Sequence, residues 1–274
     1  MKKEKYSICF ACYNAVDYTK KCIDSLITHN TPLDRLVIVD NASTDGTSEF
    51  LEKTHIINIK TNKKNLGCGT AWNQAALTLQ SEWTIIMNND VIVSHDWIKR
   101  LINSAEKHNL KVISPALIEG DLNYDLDALA EKNSELMSDV IRLGHCHAVC
   151  MAVHETVWEK TGYFQANPRL LGFEDTLFFD ALRQQKIRTG MTGAAWIHHY
   201  GSITLSIIKK EQGLLERDNL SHRKNYQLLN QSWLERKSRK ATRMYKSLIW
   251  RKHEMKNFNK TLHGIRKSNN WEWL

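Results

Sequence analysis

The chain has 274 residues, of which 42% are hydrophobic and 25% are charged, a balance typical of a packed globular protein rather than a disordered one. It contains no run of about 18 apolar residues, which excludes a membrane-spanning helix, and its first residues lack the apolar core of a secretory signal. We therefore expect a cytoplasmic protein with one good-sized domain and an appendage.

The net charge of +8 is distributed unevenly along the chain. Residues 1–204 contain 21 Lys and Arg against 24 Asp and Glu, whereas residues 205–274 contain 17 against 6. We place a domain boundary at this change in charge. The six cysteines lack the spacing of a disulfide framework. Cys9 and Cys12 form a CxxC pair, but residues three apart on a strand point to opposite faces, so we interpret them as buried thiols.

The first half of the chain alternates predicted strands with predicted helices. Strands are predicted over residues 6–11, 36–39, 56–59, 83–87 and 112–114, and helices over 18–30, 48–53, 70–79 and 97–108. The uninterrupted branched run 37–39 is typical of a strand that is covered on both faces. This alternation predicts an α/β fold, with a Rossmann-like, mostly parallel sheet flanked by helices.

The second half is less regular. Residues 116–144 are polar and weakly periodic, and we predict a long active-site loop region there. A strand over 147–153, helices over 154–161 and 176–185, and a strand over 194–197 follow. The basic, aromatic-rich residues 205–274 are predicted to form a helical C-terminal region.

Acidic side chains follow three hydrophobic segments, at Asp40, Asp90 and Asp175. Ligands bind at the carboxyl ends of the strands in an open α/β sheet, so we expect these carboxylates to share one site. Such a site could handle a metal, a nucleotide and a proton. Lys64 and Asn65 precede a glycine turn at 67–69 that opens a helix, where backbone N–H groups attract anions. The spacing is neither a Walker A loop nor GxGxxG.

Taken in order, these motifs resemble glycosyltransferase family 2, the inverting enzymes with a GT-A fold, and among them the bacterial surface-glycan and rhamnosyltransferase-like members. The matching segments are residues 7–14, 38–47, 65–73, 88–90, 150–164, 174–175 and 198–202. The resemblance implies that residues 1–204 form the catalytic domain. Residues 1–114 would be its nucleotide-sugar half, and residues 115–204 its acceptor half.

The resemblance implies a divalent metal, Mn²⁺ or Mg²⁺, held by Asp90 at the last position of a DxD-like motif. The first position of that motif is Asn88, and an amide is a weaker ligand for these ions than a carboxylate. A histidine completes the site in the family. We prefer His199 over His198 from the alignment with the family at Gly201 and Ser202, and a buried structural histidine is the alternative.

On the nucleotide side, the Asp40 carboxylate would accept the ring N3–H of uracil or thymine, which favours a UDP- or dTDP-sugar donor. The other residues assigned to the nucleotide are Ala11, Tyr13, Lys64, Asn65, Gly67 and Asn89. Asp45 is interpreted as a turn and N-cap residue instead.

Asp175 is the predicted catalytic base, since inversion requires a base that deprotonates the acceptor hydroxyl as it attacks. Glu174 would bind or orient the acceptor. Both could instead be acids placed for a helix dipole. Leu177 stands where the family commonly has an acid, which bears on acceptor contacts rather than on the base.

The predicted function is transfer of a hexosyl or deoxyhexosyl group to a hydroxyl of a glycan acceptor in cell-surface polysaccharide or lipooligosaccharide synthesis. The C-terminal region would contact the inner leaflet of a membrane beside a lipid-linked acceptor, pack on the catalytic domain, or form a homo-oligomer surface. Nucleic-acid binding is not expected. The alternatives are a noncatalytic glycan- or lipid-binding protein on this fold, and a sugar nucleotidyltransferase. The latter would need a glycine-rich basic loop after the first strand, which residues 14–17 do not provide.

Overall fold

A computed structural model describes residues 4–166, 172–211, 213, 227–229 and 231–274. Its first half confirms the predicted alternation of strands and helices. Strand β1 pairs in parallel with β2 and β4, and β2 pairs in parallel with β3. These elements are β1 (Glu4–Cys12), α1 (Val16–Thr28), β2 (Leu36–Asp40), α2 (Thr47–Glu52), β3 (Asn58–Thr61), α3 (Cys68–Ala76) and β4 (Ser81–Asn88).

The second half extends the same sheet with strands of both directions. Strand β8 lies antiparallel between β4 and β6, and β9 runs parallel to β6. The elements are β5 (Val91–Val93), α4 (Trp97–Lys107), β6 (Val112–Gly120), α5 (Leu126–Met137), β7 (Ile141–Leu143), β8 (Cys150–His154), α6 (Glu155–Thr161), α7 (Glu174–Gln184), β9 (Thr189–His199), α8 (Ile203–Glu211), α9 (Trp233–Phe258), β10 (His263–Lys267) and β11 (Asn270–Trp273).

The sheet has helices on both faces, as predicted. Helices α1, α4 and α5 bury Leu26, Leu101 and Met137 in one apolar cluster, while α3, α6 and α7 contribute to a second. The carboxyl ends of β1, β2, β4, β6, β9 and β10 all lie at one edge of the sheet, because each is joined to the others by parallel pairs or through the antiparallel β8. We refer to this edge as the carboxyl edge.

The prediction of a loop region over residues 116–144 is wrong. Strand β6 continues through Pro115 to Gly120, with a register shift against β9 immediately after the proline. Proline in a strand is tolerated at such irregularities. Here it interrupts the strand pattern in the sequence, although the residues that follow it are buried. Helix α5 begins at Asp125, whose side chain accepts the Ala128 N–H. Its buried face includes the polar residue Asn133, which weakens the apolar pattern.

The C-terminal region contains the predicted helix, α9, and a hairpin of β10 and β11 that the sequence analysis did not predict. Strand β10 pairs in parallel with β6, so the main sheet contains strands from both sides of residue 204. The domain boundary at that residue stays a prediction. The last turns of α9 are fixed by Glu254, which accepts hydrogen bonds from Arg142 Nε at 2.8 Å and Nη2 at 2.7 Å. Both side chains are buried, so removing either would cost about 3–5 kcal/mol.

In the part of the chain that the structure describes, no helix combines the length and apolar character needed to cross a membrane. The six cysteines are free, and Cys9 and Cys12 are both buried, as the sequence analysis predicted.

Candidate active site

The loops after β1 and β2 are tied together at the carboxyl edge. The Asn14 N–H donates to Ser43 Oγ at 2.8 Å, and Asn14 Oδ1 accepts the Thr44 N–H at 2.8 Å. Asn14 and Ala15 both have positive φ angles, a strained conformation for Ala15 that these bonds help to hold. Asp45 accepts the N–H groups of Val16 and Thr47, so it holds the turn before α2 as predicted, but the N-cap residue of that helix is Gly46.

Asp40 ends β2 and has no solvent-exposed surface. Its Oδ1 accepts the Ser43 N–H at 3.0 Å, and its Oδ2 accepts a short bond from the Ser48 hydroxyl. The structure therefore gives Asp40 a role in fixing the loop from residue 43 to residue 48. Contact with a nucleobase, for which each oxygen keeps a second lone pair, stays a prediction.

Asn65 is positioned by Asn41, a residue that the sequence analysis did not select. Asn41 Nδ2 donates to Asn65 Oδ1 at 2.8 Å, and Asn65 Oδ1 also accepts the Gly67 N–H at 2.9 Å. Gly67 has φ +84 and is followed by the first turn of α3, while Lys64 is exposed. This arrangement presents the N-terminus of α3 at the carboxyl edge, where an anionic group would be stabilised.

Tyr13 is half-buried and contacts the end of α8. Its hydroxyl donates to Glu211 Oε2 at 2.7 Å, and Asn14 Nδ2 donates to Glu211 Oε1 at 3.0 Å. The hydrogen bond to Glu211 raises the pKa of Tyr13, with burial adding to the effect. Ala11, near the end of β1, is partly buried. Glu211 is not part of a recognised sequence motif. It contacts Tyr13 and Asn14 because α8 ends near the loop that follows β1.

Asp90 and His199 meet at the carboxyl edge. Both side chains are buried, and Asp90 Oδ1 lies 3.2 Å from His199 Nε2. The two atoms do not have hydrogen-bond alignment, and neither has another hydrogen-bond partner. Two buried, unsatisfied ligand atoms directed at one point fit a divalent cation. Within the described residues no group of three or more metal-binding side chains occurs, so water and ligand oxygens would complete such a site.

His199 is flanked by a second carboxylate, Glu119, which the sequence analysis missed. Glu119 Oε1 lies 3.2 Å from His199 Nδ1, and its Oε2 lies 2.8 Å from His263 Nε2. Burial lowers the pKa of His199, but its contacts with Asp90 and Glu119 outweigh burial and raise the pKa to about 9. The contacts with His199 and His263 hold the pKa of Glu119 well below its usual range.

His198 faces away from Asp90. Its Nδ1 lies 3.0 Å from the Tyr124 hydroxyl, and burial lowers its pKa to about 4. Successive residues of β9 point to opposite faces of the sheet, so only one of the two histidines can face Asp90. The structure brings His199, and not His198, next to Asp90.

Asn88 and Asn89 form hydrogen bonds that fix the chain around the end of β4. The Asn88 N–H donates to the Val149 carbonyl at 2.9 Å. Asn89 is buried, its Nδ2 donates to Thr19 Oγ1 at 2.9 Å, and its Oδ1 accepts the Thr204 hydroxyl at 3.4 Å. These bonds tie the end of β4 to α1 and α8, and the predicted contact of Asn89 with a nucleotide is not tested by them.

Glu174 and Asp175 begin α7. Glu174 is buried, with Oε2 accepting the Gly172 N–H at 2.7 Å and Oε1 without a partner. Its side chain packs against Gly69, where an added Cβ would lie 2.9 Å from Glu174 Cγ. Burial raises the pKa of Asp175, and the hydrogen bond from the Thr176 N–H opposes that shift.

Cys68 lies among the predicted catalytic and metal-binding acids. Burial, together with the nearby carboxylates of Glu174, Asp175 and Asp90, holds the pKa of its thiol well above the usual range. The thiol of Cys68, in the first turn of α3, is therefore within range of the charges of these three acids. Asp40 lies at the same edge of the sheet, because it pairs with Cys12 in the register of β2 with β1, and Ala11 of β1 pairs with Asn88 at the end of β4.

The arrangement has the parts that a group-transfer site requires. It presents a helix N-terminus for an anion, two unsatisfied ligand atoms for a cation, and a carboxylate of raised pKa beside them.

Comparisons with known proteins identify the family of the chain. The profile of "Glycosyl transferase family 2" matches residues 7–178. The chain is 26% identical over 102 residues to "Glycosyltransferase GlyA" of Streptococcus pneumoniae, and 28% identical over 95 residues to "Putative teichuronic acid biosynthesis glycosyltransferase TuaG" of Bacillus subtilis. These matches cover 36% and 32% of the chain, but only 14% and 36% of the two relatives.

Solved structures share the fold at low identity. TarS residues 1–349 of S. aureus has a TM-score of 0.55 at 18% identity, over 72% of this chain and 60% of that one. The mannosyltransferase PcManGT of Pyrobaculum calidifontis, in complex with GDP-Man and Mn²⁺, has a TM-score of 0.56 at 17% identity, over 74% and 59%. GalNAc-T7 with UDP, GalNAc and Mn²⁺ has 0.56 at 12%, over 73% and 44%. The chain therefore belongs to glycosyl transferase family 2 and has the GT-A fold.

Proposed function

We propose that the protein is a metal-dependent, inverting glycosyltransferase that moves a hexosyl or deoxyhexosyl group from a UDP- or dTDP-sugar to a hydroxyl of a cell-surface glycan. The observation that carries the proposal is the position of Asp90 Oδ1 and His199 Nε2. Both atoms are buried and lack a hydrogen bond, and they lie 3.2 Å apart. The teichuronic acid role named for TuaG supports the choice of a surface glycan as the acceptor.

In this mechanism Asp90 and His199 would hold Mn²⁺ or Mg²⁺, and as a Lewis acid the ion would offset the charge that develops on the leaving diphosphate. The N-terminus of α3, reached through Asn65 and Gly67, binds the phosphates. Lys64 adds positive charge at the same loop. Tyr13, Ala11 and Asn89 line the nucleoside side, and the remaining lone pairs of Asp40 accept the base N3–H.

Asp175 takes the proton of the acceptor hydroxyl as that oxygen attacks the face opposite the diphosphate. Its raised pKa suits a base that must bind a proton during the reaction. Glu174 Oε1, which has no protein partner, accepts a hydrogen bond from a second hydroxyl of the acceptor and orients it. Because Glu174 is fixed by Gly172 and Gly69, this contact would select acceptor geometry.

Binding of the donor can be tested with a panel of nucleotide sugars. We expect UDP- or dTDP-sugars to raise the melting temperature in the presence of Mn²⁺, by about 5–10 °C at roughly 100 times the dissociation constant. GDP-sugars and samples containing EDTA should give much smaller shifts. Transfer to a glycan acceptor, with NMR of the product, should then give the inverted anomer. A panel in which no nucleotide sugar stabilises the protein would overturn the proposal in favour of a noncatalytic role.

We further propose that α9 contacts an anionic lipid surface, which would bring the site close to a lipid-linked acceptor. The helix carries nine Lys and Arg against two Glu. Its domain-facing side includes Arg239, Trp250 and Glu254, whose spacing places them on one helix face. The opposite face exposes large apolar side chains: Trp233 57%, Leu234 70%, Met244 57%, Tyr245 66%, Leu248 66% and Ile249 48%.

An amphipathic helix with a basic polar face binds at the surface of anionic membranes. A second copy of the chain is a poorer partner, because it would bring two strongly positive helices together. We expect the protein to sediment with phosphatidylglycerol-containing vesicles and not with pure phosphatidylcholine vesicles. The double variant Tyr245→Ala with Leu248→Ala should bind about tenfold less tightly, from the apolar area removed.

The matched control is Leu77→Ala, which removes an exposed leucine from a different part of the chain. It should bind vesicles like the wild type. Equal binding of the double variant and the wild type would contradict the lipid contact. A wild-type dimer in solution that is lost in the double variant would also contradict it.

A further inference from the structure

Two carboxylate–imidazole contacts join His199 to the C-terminal hairpin. Glu119 is shared between them, with Oε1 3.2 Å from His199 Nδ1 and Oε2 2.8 Å from His263 Nε2. Asp90 lies on the other side of the same imidazole, 3.2 Å from Nε2. The result is a continuous row of four side chains, from His263 on β10 through Glu119 on β6 and His199 on β9 to Asp90, two residues after β4.

The pairing of β6 with its two neighbours places this row. Glu119 is the direct partner of His199 in the register of β6 with β9. On the other side, β10 pairs with β6 from His263 to Arg266. The approach is close at Gly120, which has φ +98 and where an added Cβ would lie 2.3 Å from the Arg266 carbonyl oxygen. The backbone therefore holds β10, and with it His263, tightly against the end of β6.

A histidine that binds a metal through Nε2 must carry its proton on Nδ1. A carboxylate that accepts the Nδ1–H selects this tautomer and fixes the plane of the ring. Glu119 is in position to do this for His199. Its second oxygen is occupied by His263, so the carboxylate itself is kept from rotating away into solvent, to which about 30% of its side chain is exposed.

We propose that Glu119 and His263 are positioning residues for the metal-binding imidazole of His199, so that the C-terminal hairpin is part of the divalent-metal site. The inference rests on the proposed metal-dependent function. It goes beyond that function because it assigns a role to a hairpin outside the segment that matches the family, residues 7–178. Neither residue contacts the reacting atoms.

The test measures Mn²⁺ binding to the protein without substrates, from the electron paramagnetic resonance signal of the free ion. Loss of a residue that orients a metal ligand typically weakens binding by about 10- to 100-fold. We expect a decrease of about tenfold for His263→Ala. The variant His263→Gln, whose amide can still donate to Glu119, should retain affinity within about threefold of the wild type. His253→Ala, which removes an exposed histidine of α9, should match the wild type.

A second measurement is made on the wild-type protein and uses a variant only to assign the resonance. In wild-type protein with ¹⁵N-labelled histidine, the resonance that disappears in His199→Gln should have the Nδ1–H tautomer at neutral pH when Zn²⁺ or Mg²⁺ is bound. His263→Ala with wild-type Mn²⁺ affinity, or His199 in the Nε2–H form, would overturn the inference. If Asp90→Ala left Mn²⁺ binding unchanged, the metal site itself, and so the proposed function, would be at fault instead.

Discussion

Replacing Asp90 with alanine should lower the rate of sugar transfer by about 1,000-fold, because a bound cation stabilises the leaving group by several kcal/mol and each 1.4 kcal/mol changes a rate tenfold. Asp90 supplies the only carboxylate among the described residues that lies within 4 Å of His199 Nε2. The decrease should appear in kcat measured at saturating donor, and adding Mn²⁺ should restore little activity.

Asp90→Ala should also lower the stability of the protein without metal. Asp90 Oδ1 lies 3.2 Å from His199 Nε2, and this contact helps to raise the pKa of His199 to about 9, so the substitution removes a favourable interaction between buried groups. At neutral pH, we therefore expect a melting temperature below that of the wild type. The control is Asp139→Ala, which removes an exposed aspartate paired with Lys107 and should leave the rate unchanged. An Asp90→Ala enzyme with more than a tenth of wild-type activity would exclude the metal role.

Replacing Asp175 with asparagine should lower kcat by about 10²- to 10⁴-fold, the usual contribution of a positioned general base. The asparagine is nearly isosteric and can still accept the Thr176 N–H, so the start of α7 should be preserved. Donor affinity, measured by titration with the nucleotide sugar that stabilises the protein, should therefore remain that of the wild type.

The pH dependence gives this prediction its sharpest form. A base acts when it is deprotonated, so the wild-type rate should rise with pH through the pKa of Asp175. Since burial raises that pKa, the rise should lie above the ordinary range for aspartate, near 4. Asp175→Asn should lose this rise, and Glu159→Gln, a change at an exposed glutamate, should keep it. Near wild-type transfer by Asp175→Asn would reject the base assignment.

The parts of the fold and site that the sequence predicted well are those encoded by neighbouring residues. The branched run of β2 and the glycine turn before α3 specify their own backbone conformation, and both were found where they were predicted. Asp90 was selected because it directly follows a strand, and the strand did place it at the carboxyl edge.

The parts that the sequence did not predict depend on pairing between distant segments. Glu119 and His263 are 144 residues apart, and they meet only because β10 pairs with β6. Pro115 hides the continuation of β6, so the acid near the end of that strand could not be recognised. By contrast, the preference for His199 over His198 came from the alignment at Gly201 and Ser202, and the structure does place His199 next to Asp90.

Because the ion pair of Arg142 and Glu254 is buried, the attachment of α9 to the domain should depend on salt differently from its contact with lipid. Counter-ions screen charges that are exposed to solvent over about 10 Å at 0.1 M salt, and they hardly affect a pair from which water is excluded. The attachment of α9 to the domain, where both partners are buried, should therefore persist at ionic strengths that release its exposed cations from phospholipid headgroups. For the proposed lipid contact, raising the salt concentration should therefore release the protein from a bilayer without detaching α9 from the domain.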